Sequence, residues 1–178
     1  PDRYQGIKIV SSTTVAPGNK VTVAGSMAGK NAERYIDAMG YVVDKTTPGP
    51  GVPPALSIGL RAVGGMALNS FTPGVLYGQG PNNIGTYVRV WGKVTQTAPA
   101  LYLYLSDGST NPDGSPLADG TKTGSTDNNG IRGEMNPSGY IQNDYLVVEG
   151  VVSLFDDGLG HLLRKIIPIA GGIHKLAP

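Results

Sequence analysis

From Tyr87 to Leu105 the chain reads YVRVWGKVTQTAPALYLYL, and its apolar positions recur at every second residue. Val88, Val90 and Gly92 alternate with Arg89, Trp91 and Lys93, and later Leu101, Leu103 and Leu105 alternate with Tyr102 and Tyr104. Period two is the pattern of a half-buried strand, so the stretch predicts two strands joined by a turn. Asp107-Gly108 then predicts a second turn. Further strand-like runs are Gly6–Val10, Lys20–Gly25, Glu33–Asp44 broken near Gly40, Gly130–Glu134, Asp144–Phe155 with Gly150 in its middle, and His161–Ile169. Ile173–Leu176 predicts a short additional strand.

Two segments break the pattern. Residues 45–86 begin KTTPGPGVPP, a Pro/Gly run that disfavours helix and sheet ladder alike. They read as a connector, with one helical turn within Leu56–Val63 ended by Gly64-Gly65 and a short strand at Val75–Tyr77. Residues 106–129, rich in Asp, Asn, Gly, Ser and Thr, read as a loop insertion.

Composition agrees with an all-β reading. The chain has 178 residues, 27 of them Gly and 14 Pro, with only 15% charged, which favours many short strands over long helices. No apolar run approaches the ~20 residues of a membrane-spanning helix. Cysteine is absent, which excludes disulfides, thiolate-bound zinc and a thiol nucleophile. That absence, with the Gly/Thr/Asn content, leans toward an extracellular or cell-surface setting. The chain opens at Pro1 without a signal sequence, so a processed or incomplete product is expected. The formal net charge is +1 and the Lys and Arg residues are scattered, which weighs against a dedicated nucleic-acid binder.

The two ends of the chain read as a repeat. Gly6-Ile7-Lys8 matches Gly130-Ile131-Arg132, Val21–Gly25 matches Leu146–Gly150, and Arg34-Tyr35-Ile36 matches Arg164-Lys165-Ile166. The series V-x-V-x-G-x-V, a Tyr-rich strand, Asp-Gly-Ser, Gly-Ile-Arg and V-V-x-G-x-V-S resembles the OB-fold, in particular the OB-like repeat modules of secreted bacterial surface proteins. The resemblance implies an OB-like five-stranded Greek-key barrel over 87–176, within a region 87–178 that carries the 106–129 insertion. Before it would lie a partial OB-like unit over 1–44 and the Pro/Gly connector over 45–86. The first copy matches only strands three to five, so its edge, with Ile7, Ile9, Val21 and Val23, needs a cover. The connector, an upstream segment or a neighbouring chain can supply one. For a neighbouring chain, the donor segments are Pro1–Val15 or Ile173–Pro178.

Candidate chemistry is sparse. Asp107, Asp113, Asp119 and Asp127 are spaced as oxygen ligands of a flexible calcium loop, without the closing Glu of an EF-hand. The same residues also serve any turn-rich loop. Trp91, Tyr102 and Tyr104, with Arg89 and Lys93, form a candidate stacking face on strands where OB-folds bind oligonucleotides or sugars. Packing or assembly is the favoured use of these aromatics. His161 and His174 are the only histidines, and no nucleophile elbow, zinc-protease motif or phosphate loop accompanies them. The sequence therefore reads as a non-enzymatic extracellular structural subunit, a homopolymer assembled into a filament or surface layer by strand or edge complementation between chains. The alternative is an OB-type binding module for single-stranded nucleic acid or oligosaccharide. No cofactor is required, calcium aside.

Overall fold

The computed structural model describes residues 6–30, 33–39, 43–46, 51–70, 72–98, 101–123 and 126–176. In chain order the strands are β1 (Lys8–Val10), β2 (Lys20–Val23), β3 (Ser26–Lys30), β4 (Glu33–Asp37), β5 (Val43–Thr46), β6 (Leu56–Ser57), β7 (Tyr87–Ala98), β8 (Tyr102–Ser106), β9 (Ala118–Thr123), β10 (Thr126–Asn129), β11 (Ile131–Gly133), β12 (Tyr145–Asp156) and β13 (Leu162–Lys175). A single 3-10 turn at Leu60–Ala62 interrupts them among the described residues.

The strands from β7 onward close on themselves. The order runs β7-β8-β11-β13-β12, and β12 pairs back onto β7. All contacts are antiparallel except β11 with β13, which run parallel with Arg132 opposite Lys165. This is an OB-like five-stranded barrel, and it follows from the alternation. Val88, Val90, Leu103, Leu105, Leu146 and Val148 turn inward and are fully buried, with Ile131, Val152 and Ile166 closing the core. Each such side chain contributes roughly 1.5–3 kcal/mol on burial. Long strands must bend to close so small a barrel. At Gly150 a Cβ would lie 2.5 Å from the Ile167 carbonyl oxygen, so only glycine admits that approach. Just before it, the register of β12 on β13 shifts between Val148 and Gly150. Leu162–Lys175 is one strand across that irregularity, where the sequence predicts two, His161–Ile169 and Ile173–Leu176.

The connector lies on the barrel. Its β6 adds in parallel to β7, with Leu56 opposite Val88. Leu60 and Val63 enter the barrel core. The Leu60 N–H donates to Asp107 Oδ2 at 2.8 Å, and the buried Arg164 guanidinium donates to the carbonyls of Arg61 at 3.2 Å and Leu76 at 2.6 Å. Loss of water pushes the Arg164 pKa down to about 10. The strand expected at Val75–Tyr77 does not form; Tyr77 takes a left-handed conformation with φ 55°, which ends an extended run.

The insertion is not a bare loop. Within it β9 and β10 form an antiparallel pair, with β10 against β7 and β8 and β9 against β11 and β13. The Thr95 hydroxyl donates to the Asn129 carbonyl, and Leu117 inserts into the core.

Residues 6–46 form two small ladders. The first has β4 between β1, parallel with Lys8 opposite Tyr35, and β3, antiparallel with Ser26 opposite Asp37. The second pairs β2 with β5, antiparallel with Val23 opposite Val43. The bounds 1–5, 31–32, 40–42 and 47–50 fall outside the described residues.

Candidate functional site

On β7 and β12 the inward residues alternate with an outer row. Cross-strand pairs set this row: Tyr145 opposite Lys93, Val147 opposite Trp91, Glu149 opposite Arg89, and Val151 opposite Tyr87. Trp91 is 51% exposed and Tyr145 is 49% exposed. Beside them the Glu149 carboxylate accepts from the Tyr87 hydroxyl at 2.6 Å and from Arg89 Nε at 2.7 Å, and Arg89 closes a second contact through its terminal nitrogen. The Tyr87 hydrogen bond and then the Arg89 guanidinium hold the Glu149 carboxyl below the usual carboxylate range. Burial, reinforced by Glu149, pushes the Tyr87 phenol up. A groove of about 350 Å³ lies beside Arg89, Trp91 and Val147 of this row, with Ser57, Ile58 and Leu176 among its other walls.

The five residues of the sequence-derived stacking set do not share one face. Trp91, Arg89 and Lys93 lie on the outer row of β7. Tyr104 is fully buried on β8, and its ring meets Tyr102 edge to face at 5.7 Å. Tyr102 is itself covered by the Arg132 guanidinium, 3.8 Å from its ring centre, and Arg132 also lies 4.7 Å from the Phe155 ring. On β8, Tyr104 is buried and Tyr102 partly buried, while Trp91 on β7 is solvent-facing. Tyr145, which joins Trp91 on the exposed row, was outside the predicted set; only the strand register reveals it.

The four aspartates of the insertion are dispersed. Asp107 Oδ2 anchors the connector and its Oδ1 accepts from the Ser109 N–H at 2.9 Å. Asp113 closes its own turn on Ser115, with the hydroxyl at 2.6 Å. Asp119 is buried, and Asp127 stands opposite Lys122 in the β9–β10 ladder. Among the described residues, no group of three or more His, Asp or Glu side chains is gathered as a metal site. His161 Nδ1 lies 2.8 Å from Asp157 Oδ2 in the turn before β13, while His174 is exposed on the far half of that strand.

The assembly-edge residues lie together in the first unit. Ile7 and Ile9 are exposed and Val21 and Val23 are half-buried. A cavity of about 570 Å³ opens between this unit, the connector and the barrel, lined by Ile7, Met27, Glu33, Leu68, Ile84 and Leu154 among others. The Ser153 hydroxyl of β12 donates to both Glu33 oxygens, at 2.9 and 3.0 Å, and Lys8 Nζ lies 3.6 Å from that carboxylate. This buried polar group ties the first unit to the barrel. Of the donor segments named from sequence, Lys8–Val10 pairs with β4 and Ile173–Lys175 pairs with β12, while residues 1–5 and 177–178 lie outside the described residues. No protein-family model, curated protein or solved structure matches this chain.

Proposed function

We propose that the chain is an extracellular structural subunit that self-assembles through edge complementation between copies, building a filament or surface layer. The observation that carries this reading is a correspondence of register. In the first unit Lys8 stands opposite Tyr35 in parallel, as Arg132 stands opposite Lys165 in the barrel. Ser26 faces Asp37 as Val151 faces Ile167, and Val23 faces Val43 as Val148 faces Ile173. A Cβ on Gly25 would lie 2.4 Å from the Asp37 oxygen and 2.7 Å from Ile36 Cγ2. On Gly150 the corresponding distances, to the Ile167 oxygen and Ile166 Cγ2, are 2.5 and 2.7 Å. This supports reading β1–β5 as strands three to five of a second OB-like barrel.

The same positions differ in one respect. Ile131 and Val152 are fully buried in the barrel by β7 and β8, whereas their counterparts Ile7 and Met27 are 47% and 59% exposed. Among the described residues no strand pairs with the outer edge of β1, β2 or β3. Open backbone edges beside exposed apolar side chains are a template for another strand, and a neighbouring copy is the occupant proposed here. The lack of cysteine and the low charge suit an extracellular setting.

Hydrogen exchange at increasing protein concentration tests this reading. Amides of Lys8–Val10 and Lys20–Val23 are expected to gain protection with concentration, while those of β12 stay constant. Protection of β1 and β2 that is independent of concentration overturns the proposal.

A further inference from the structure

We propose that the outer row of β7 and β12 binds a neutral oligosaccharide, stacked on Trp91 and Tyr145. This inference stands apart from assembly, because it rests on the barrel and not on the first unit. It also lies away from the β8–β11 surface, where the aromatic side chains are covered.

Trp91 and Tyr145 are on neighbouring strands and on the same side of the sheet, because Trp91 pairs with Val147 and Tyr145 precedes Val147 by two residues. Diagonal neighbours of this kind sit about 7–8 Å apart, so both rings are presented along one short path. Each is half exposed, although burying an aromatic ring is strongly favourable. Rigid, amphipathic rings lose little conformational freedom on binding, and they offer flat apolar faces to the C–H surface of a pyranose.

The polar groups around the rings select among ligands. Arg89 is neutralised by Glu149, which is also hydrogen-bonded by Tyr87, so the pair is fixed before any ligand arrives. A fixed carboxylate and guanidinium suit sugar hydroxyls, which both donate and accept. They suit a phosphate chain poorly, because Glu149 repels it and the chain as a whole carries a net charge of only +1. The groove of about 350 Å³ beside Trp91 gives a ring room to settle against Val147, Ile58 and Leu176.

Trp91 is the single tryptophan in the chain, so its emission reports this face alone. The full chain is titrated with cellohexaose, chitohexaose and maltohexaose, and with an oligodeoxythymidine as the anionic comparator. The expected result is a saturable emission shift with at least one hexaose that persists from low to half-molar salt. Calorimetry with Tyr145→Ala should show about a tenfold loss of affinity, with Tyr145→Phe retaining it and melting temperature confirming that both variants fold. No shift with any hexaose overturns the proposal. So does tighter binding of the oligodeoxythymidine, and so does an emission shift produced by concentrating the protein without sugar, which would make this face a contact between copies.

Discussion

Glu149 shows how a single residue can be plain in sequence and opaque in role. Its place between the buried Val148 and Gly150 is legible from alternation, which puts it on the outer face of β12. Its partners are not legible, because Tyr87 and Arg89 precede it by some sixty positions and meet it only through the β7–β12 register. The consequence is a definite pH dependence. Tyr87 and Arg89 lower the Glu149 pKa, and Lys175 lowers that of Asp144. A carboxylate depressed in the folded state adds stability that is fully present above its unfolded pKa, about 4 for these groups. That stability is lost as pH falls through the folded value. Glu149→Gln should therefore lower the melting temperature above pH about 6 and flatten the acid limb, the two chains converging at low pH. An acid limb as steep as that of the parent chain contradicts the assignment.

Among elements, the five barrel strands were readable because each buries one side of its alternation. The insertion was not. Its β9 and β10 carry Ala-Asp-Gly-Thr and Thr-Asp-Asn-Asn, whose Asp, Asn and Gly read as loop, and the pair lies with β10 against β7 and β8 and β9 against β11 and β13. The stacking set divides as well. Alternation separates the two sides of β8, but it does not tell that both will be covered, leaving Tyr104 with no solvent face. The connector shows a further long-range dependence. Asp107 reads as a turn residue, yet its carboxylate also caps the Leu60 N–H forty-seven positions earlier. Asp107→Ala leaves that donor without its acceptor and should cost about 1–3 kcal/mol in urea unfolding. Amides at 60–64 should exchange faster as the connector loosens. Unchanged exchange there would show that Leu60 and Val63 hold the connector without this bond.

The whole molecule joins a closed barrel to one three-strand and one two-strand ladder, tied by Glu33 and Ser153. In the barrel, β7 and β8 cover the side chains of β11 and β12; in the first unit the equivalent side chains meet a cavity and solvent. Three short sequence blocks lead to the repeat proposed above, and the pairings at Lys8, Val23 and Ser26 are the registers that support that proposal. What occupies the open edge lies beyond any one chain's alternation pattern, because an edge specifies only the backbone and apolar spacing of its partner. The most direct measurement is the mass of the chain in solution by multi-angle light scattering across a concentration series, beside Met27→Lys. Edge complementation between copies predicts a mass that rises above one chain with concentration, and a Met27→Lys variant that stays at one chain with its barrel melting unchanged. A parent chain that remains a single-chain species at every concentration would contradict it.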